Sequence, residues 1–275
     1  VKEVVDGKTF DNGTLCSSEQ ALVCDEEIAE AVREELRKNG AYFLDEAEAA
    51  AVAAVVVTPQ RLANPEIVGK EAAFIAGKAG IAVPKETRVL VAPLSGVGRD
   101  FPLSIEKLSP VLAFYVVKDW REGASCCRAL LRFGGTGHTL GIHSQDEAVV
   151  RAFGEAMPVF RIVVNTQTSM GATGYTTGLP PAMSLGCGAW AGNITSDNIT
   201  PLHLINLKRL AWPRPRESPR VAPGPAVSEV VDFVCEDDVR RALEAGRVLK
   251  VKRGGIVTPA ARDRAAGTGA LIFEP

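Results

Sequence analysis

The sequence has little of what metal, disulfide or membrane proteins depend on. Its six cysteines, Cys16, Cys24, Cys126, Cys127, Cys187 and Cys235, form no CxxC pair, and none of its three histidines stands at ligand spacing from them. A zinc site and a disulfide framework are therefore disfavoured, and a reduced, cytosolic compartment fits better. No apolar run approaches the roughly 20 residues that span a bilayer. The longest candidate, Ala47 to Thr58, is short and opens on Glu46 and Glu48. A basic stretch leading into an apolar one is missing from the start of the chain, which argues against a secretory leader. Neither sign of charge dominates: 31 Lys and Arg face 33 Asp and Glu, for a net −2. That removes the electrostatic case for a nucleic-acid or membrane-surface partner. There is no internal repeat.

What is present is an ordinary globular composition. The 275 residues are 46% hydrophobic and 23% charged, enough for a sizeable core in one large domain or two ordinary ones. Val4–Phe10 and Ala21–Val23 read as short extended segments around the turn FDNGTLCSSEQ. Glu26–Asn39 places Ile28, Ala31, Val32 and Leu36 at helical spacing, and Gly40 stops it. A helix follows within Pro65–Gly80, then strands at Arg88–Ala92 and Val111–Val117, with the loop GVGRDFPLSIEKLSP between them. Further on come a helix over Asp119–Leu131, a strand over Thr139–His143, a helix over Asp146–Met157 and a strand over Phe160–Asn165. This alternation predicts an α/β fold with a largely parallel sheet.

Two later segments differ. Thr166–Asn198 is long, nearly uncharged and rich in Gly, Thr, Ser and Ala. Loops of that kind are expected to pack against something, often a cleft. Leu202–Trp212 returns to strand or short-helix character. Within 213–226, prolines at 213, 215, 219, 223 and 225 mark an extended linker. Beyond it, 227–275 reads as a small module: an apolar run, the helix Glu236–Ala245 with acids in its first turn, and a strand at Arg247–Lys252.

Cys16 stands out for its setting. It follows Asn12-Gly13-Thr14-Leu15 and precedes Ser17-Ser18-Glu19, on a tight turn between apolar segments. Such turns push a side chain into a cleft and leave backbone N–H groups free. A free thiol has a pKa of about 8.5, so a nucleophilic role needs a base or positive potential nearby.

FDNGTLCSSEQ resembles the nucleophile segment of the CoA-acylating aldehyde dehydrogenases. LSGVGRDFPLSIEKLSPVLAFY, GGTGHTLGIHS, LGCGAWAGNITSDN and PLHLINLKRLAW resemble further blocks of that family, in the same order. The similarity covers roughly Val4–Trp212. It implies an aldehyde dehydrogenase-like catalytic domain over 1–200 and an oligomerisation strand over 201–212, followed by the proline-rich linker and the small C-terminal module. It also implies NAD and coenzyme A as cofactor and cosubstrate, a short-chain aldehyde, acetaldehyde by default, as substrate, and a homo-oligomer.

Carried over residue by residue, Cys16 is the nucleophile that forms a thiohemiacetal and then a thioester. Glu106 holds the nicotinamide ribose, and Leu108 lies beside the ring. His138, with an imidazole pKa near 6.5, deprotonates the incoming CoA thiol or Cys16. His143 and His203 match nothing, and Cys187 reads as a packed small residue. No metal is implied. Thr166–Met170 departs from the family's usual residues near the aldehyde pocket, which leaves substrate size open.

The family's dinucleotide-binding domain would precede the nucleophile segment, and nothing in the chain resembles it. Gly96-Val97-Gly98 is only a partial match to a phosphate-binding turn, without a third glycine. With Val1 rather than Met at its start, the chain is expected to be a fragment or a late-starting reading frame, and incomplete as a dehydrogenase alone. Two other readings stay open. One is an NAD-independent Cys/His acyl transferase or thioesterase. The other is a non-catalytic subunit of a bacterial microcompartment complex, because EDDVRRALEAGR and IVTPAARD in the tail are similar to segments of microcompartment proteins. A shell protein is then a further candidate partner, and the location is cytoplasmic, with the microcompartment interior as the narrower alternative.

Overall fold

The computed structural model describes residues 1–214 and 227–275. They fall into two compact units, Val1–Asn206 and Leu207–Pro275. Most of the proline-rich linker expected over 213–226 lies outside the described residues.

The larger unit opens with helix α1 (Lys2–Thr9), where the sequence predicted an extended segment. The β-branched pair Val4–Val5 suggested a strand. Both side chains and Lys8 are buried on one side of a helix instead. Strand β1 (Ala21–Asp25) follows, then α2 (Ala29–Lys38), β2 (Ala41–Phe43) and α3 (Glu46–Val56). The apolar run that was too short for a membrane is this α3. Asp45 accepts from the Glu48 backbone N–H at 2.8 Å, and Glu48 accepts from that of Asp45 at 3.0 Å. This reciprocal cap starts the helix, and Val52 and Val56, four apart, bury its inner face. The helix expected within Pro65–Gly80 is α4 (Ala72–Lys78), which leads to β3 (Val89–Pro93) and β4 (Val111–Val117).

These four strands form one parallel sheet in the order β1-β4-β3-β2. The central strands carry continuous apolar runs because both faces are covered. One face packs Val56, Ile67, Ile75 and Leu103, and the other packs Val5, Leu36 and Phe114. Helix α5 (Trp120–Phe133), capped by Asp119, and α6 (Glu147–Ala156), capped by Asp146, accompany a second parallel pair, β5 (Gly137–Ile142) with β6 (Val159–Val164). The small-residue segment contains one short α-helix, α7 (Thr168–Ala172), and a 3-10 turn at Ala189–Ala191. Pro201–Leu204 is a 3-10 turn, and 205–214 carries no regular element, where a strand or short helix was expected.

The smaller unit is a β-α-β-α-β run: β7 (Val227–Val234), α8 (Glu236–Glu244), β8 (Val248–Val257), α9 (Pro259–Ala265) and β9 (Leu271–Phe273). Its strands are parallel, in the order β7-β8-β9. The narrow apolar stripe of α8 is spent at home. Val239 and Ala242 enter this unit's own core beside Val251 and Val257, while Leu243 is exposed. No described helix is long and apolar enough to cross a membrane.

Candidate active site

The topology puts two loops side by side. β1 and β4 are parallel neighbours, with Ala21 opposite Ala113, so the segments that run into them meet at one edge of the sheet. Cys16 lies five residues ahead of β1 (16 before 21) and Glu106 five ahead of β4 (106 before 111). In open parallel sheets, ligands more often sit at the carboxyl ends of strands. Here the chemistry-bearing side chains gather at the amino ends.

The turn before Cys16 is built under strain. Asp11, Asn12 and Gly13 all have positive φ, at 47°, 51° and 74°. For non-glycine residues this conformation costs on the order of 1–3 kcal/mol each, so neighbours must hold it. Asn12 Nδ2 donates to the Gly69 carbonyl at 3.1 Å, and Thr14 Oγ1 donates to the Asp11 carboxylate at 2.6 Å. A Cβ on Gly13 would stand 2.9 Å from the Ser109 backbone, so only glycine lets the two loops approach. Past the turn, Ser17 and Ser18 are buried and the Cys16 side chain alone is exposed.

The surrounding protein still pushes the Cys16 thiol upward. Crowding out of water is the main cause, followed by the charge of Glu106 and then Cys187, while the N–H groups of Cys16 and Ser17 act in the opposite sense. The thiol is thus the resting form at neutral pH, and the thiolate has to be made on demand. Glu106 is itself raised by desolvation and drawn back down by Lys8 and Lys107. Leu108, next along, has a φ of 47°.

His138 is the second residue of β5 and half-buried, with Nδ1 2.9 Å from Thr139 Oγ1. Burial and the nearby Arg161 charge hold its pKa below the ordinary 6.5, so it is neutral at physiological pH. It makes no hydrogen bond to Cys16. The link between them is indirect: the Cys187 carbonyl closes on Gly137, leaving no space there for a Cβ, and Cys187 in turn acts on Cys16. Cys16 and Glu106 thus lie on loops that enter neighbouring strands, and the Cys187 backbone lies against Gly137, next to His138. Leu108 shares the Glu106 loop.

Several residues in this region escaped the sequence reading. Arg161 is buried, and its guanidinium serves the small-residue segment. Nε donates to Asn198 Oδ1 at 2.9 Å, Nη1 to the His138 carbonyl at 3.0 Å, and Nη2 to the carbonyls of Gly186 and of Ser196, the latter at 3.1 Å. Asn198 passes the restraint on to the carbonyls of Ala172 and Pro180. Glu19 accepts from the Thr168 N–H at 2.6 Å, tying α7 to the nucleophile segment. Lys8 is wholly buried, and among the described residues its amine has only Gln20 Oε1, at 3.4 Å, as a hydrogen-bond partner. Lysines are normally solvated, so nothing in the sequence marks this one as internal. A cavity of about 450 Å³ lies away from Cys16, between Phe160, Leu179, Asn198 and His203. Among the described residues no cluster of three or more His, Cys, Asp or Glu is placed to hold a metal ion.

Comparison with known proteins now bears on this arrangement. No family model matches the chain. It is 40% identical over 217 residues to the aldehyde-alcohol dehydrogenase of Clostridium acetobutylicum, covering 77% of this chain and 25% of that protein. It is 33% identical over 211 residues to the acetylating succinate-semialdehyde dehydrogenase of Clostridium kluyveri, covering 77% of this chain and 47% of that protein. The crystal structure of an acetylating aldehyde dehydrogenase from Geobacillus thermoglucosidasius superposes with a TM-score of 0.76 at 48% identity, over 80% of this chain and 48% of that one. The chain thus spans half or less of the length of these relatives. Over 77% of its length the homologues of this chain are acylating aldehyde dehydrogenases, which fits a catalytic half.

Proposed function

We propose that the chain is the catalytic portion of a CoA-acylating aldehyde dehydrogenase that converts a short-chain aldehyde to its acyl-CoA, with Cys16 as nucleophile. The observation that carries this reading is the lone exposed thiol on a strained turn, beside the Glu106 loop that enters the neighbouring strand. The Cys16 thiolate adds to the aldehyde carbon, and the N–H groups of Cys16 and Ser17 stabilise negative charge at the sulfur before attack. Loss of hydride from the thiohemiacetal carbon leaves a thioester on Cys16. The CoA thiol attacks it, with neutral His138 accepting the thiol proton, and Cys16 leaves as thiolate.

A nicotinamide cofactor, when bound, supplies the hydride acceptor. The exposed Glu106 carboxylate suits ribose hydroxyls as donors, and Leu108, two residues on and partly exposed, would lie against the ring. The diphosphate has no comparable seat among the described residues. The Gly96–Gly98 stretch runs into a 3-10 turn, not a helix, and the Phe101 ring fills the space above Gly96. Turnover with NAD is therefore expected only when the rest of the cofactor site is supplied.

The decisive experiment avoids NAD. Incubation with acetyl-CoA should run the last step backwards and leave an acetyl thioester on Cys16, seen by mass spectrometry and absent in Cys16→Ala. No adduct, or an adduct elsewhere, refutes the reading. Free acetate released rapidly without NAD favours the thioesterase instead. We extend the proposal to domain organisation and partners. Residues 1–200 make the catalytic domain, and 201–212 is an oligomerisation segment between copies, supported by the exposure of Leu202, Leu204, Leu210 and Trp212. The 227–275 module is an appendage whose bare apolar residues, Phe233 and Ile256 among them, would face a microcompartment shell protein. Unchanged co-localisation with shell proteins after removal of that module would end the shell proposal.

A further inference from the structure

Between Glu106 and Leu108 stands a residue that the mechanism leaves unused. The Lys107 side chain is 1% exposed, yet no carboxylate pairs with it through a hydrogen bond. Its three Nζ protons go to backbone carbonyls: Gln20 at 2.9 Å, Leu103 at 2.8 Å and Ile105 at 2.8 Å. Its own backbone N–H donates to Gln20 Oε1 at 3.0 Å, and Gln20 Nε2 reaches back to the Ser18 carbonyl at 3.1 Å. Lys107 therefore holds Gln20 by both main chain and side chain while also bracing its own loop. On the other side of the nucleophile, Gly13 closes on the Ser109 backbone. The two loops meet at 13 with 109 and at 20 with 107, and Cys16 is suspended between these junctions.

We infer that Lys107 is a positioning residue, which fastens the Glu106–Leu108 loop to the nucleophile segment and so sets where the Glu106 carboxylate stands against Cys16. The inference rests on the reading of Cys16 as the acyl-accepting nucleophile. An ammonium this deep is expensive to desolvate, and burial and the neighbouring Lys8 push the Lys107 amine well below its ordinary 10.5; three convergent carbonyls favour its protonated form only while both loops stay in place. A flexible stem ending in a tetrahedral donor meets three carbonyls in a way that the flat fork of arginine does not. Methionine would leave the Leu103 and Ile105 carbonyls unpaired and the Gln20 carbonyl with only the Ala113 N–H at 3.2 Å. The loop would then relax away from Cys16, and Glu106, without the Lys107 charge, would ionise less readily.

The test reads the environment of Cys16 directly. Iodoacetamide alkylation of Cys16, followed on its peptide by mass spectrometry from pH 6 to 10, is compared in wild type, Lys107→Met, Glu106→Gln and the double variant. Glu106→Gln removes a repelling charge and should move the profile to lower pH, raising the rate at pH 8 about two- to five-fold. Lys107→Met should move it in the same direction, and the double variant should match Glu106→Gln alone. A wild-type profile in Lys107→Met, or shifts that add in the double variant, would overturn the inference. Should Lys107→Met fail to fold, Lys107→Arg keeps the charge and changes only the geometry. A displaced profile in folded Lys107→Arg supports the fastening role, and an undisplaced one overturns it. Acetyl-CoA labelling of Cys16 separates the two levels. Labelling without coupling removes only the role of Lys107, and coupling without labelling removes only the enzymatic reading.

Discussion

Lys8 offers a stability measurement with a sign fixed in advance. Burial pushes its amine down from the ordinary 10.5 to about 7, against the pull of Glu19 and Glu106. Between pH 7 and about 10 the unfolded chain carries a proton on Lys8 that the folded chain has released. The state that binds more protons gains as pH falls, so the stability of the fold must rise with pH across this window. The burden of burying the charged amine is full below pH 7 and gone above about 10. The shift spans about 3.5 units, and at about 1.4 kcal/mol per unit the upper bound is about 5 kcal/mol. Glu19 shares the proton balance of this buried pair, which brings the expected gain nearer 2–4 kcal/mol. Lys8→Met keeps the length of the stem and removes the titration. Urea unfolding followed by circular dichroism at pH 6.5, 8 and 9.5 should show wild type gaining about 2–4 kcal/mol on Lys8→Met between the first and last conditions. Parallel curves for the two proteins would refute the assignment, because they would mean that the amine titrates alike in the folded and unfolded chains.

Three further outcomes follow from the geometry. Gly13→Ala forces a Cβ against the Ser109 backbone at a φ of 74°, so thermal unfolding should show a loss of about 1–3 kcal/mol, and Cys16 alkylation should change with it. His138→Gln should slow transfer of the acyl group from Cys16 to CoA by about 10²–10⁴. In wild type that step should fall off only below pH 6.5, since a lowered pKa keeps the imidazole neutral above it; stopped-flow release of acetyl-CoA from the acylated chain checks both. Arg161→Met strands four acceptors, two of them buried and two part-buried, and limited proteolysis should then open the 186–198 segment first, with a stability loss of about 3–5 kcal/mol.

Much of the frame was legible because strands and helices alternate with clear periods. Val111–Val117 announces a strand buried on both faces, and Asp119 and Asp146 announce the helices that they cap. Two elements were hidden by local composition. In α1 the Val4–Val5 pair and Gly7 mask a helix whose stability comes from packing against the sheet. In α3 the apolar run carries no polar face, so periodicity says little, and the Asp45–Glu48 cap carries the information. At the site, Cys16 and Glu106 were readable because sequence blocks mark them. Cys187 reads in the sequence as a packed small residue, and in the fold its carbonyl closes on Gly137. Lys8, Lys107 and Arg161 were invisible for a common reason. A basic residue in sequence looks solvated, and only the fold shows which carbonyls surround it.

The pairing of β1 with β4 also has a kinetic side. Among the described residues β1 ends its sheet, paired with β4 alone. Joining Ala21 to Ala113 closes a loop of roughly 90 residues, for which chain entropy charges about 4 kcal/mol before any contact returns it. Contacts that distant in sequence form late. The environment that tunes Cys16 should therefore be among the last features to appear during refolding and among the first to go when the sheet edge frays. The reactivity of one thiol then becomes a clock for the completion of the whole domain.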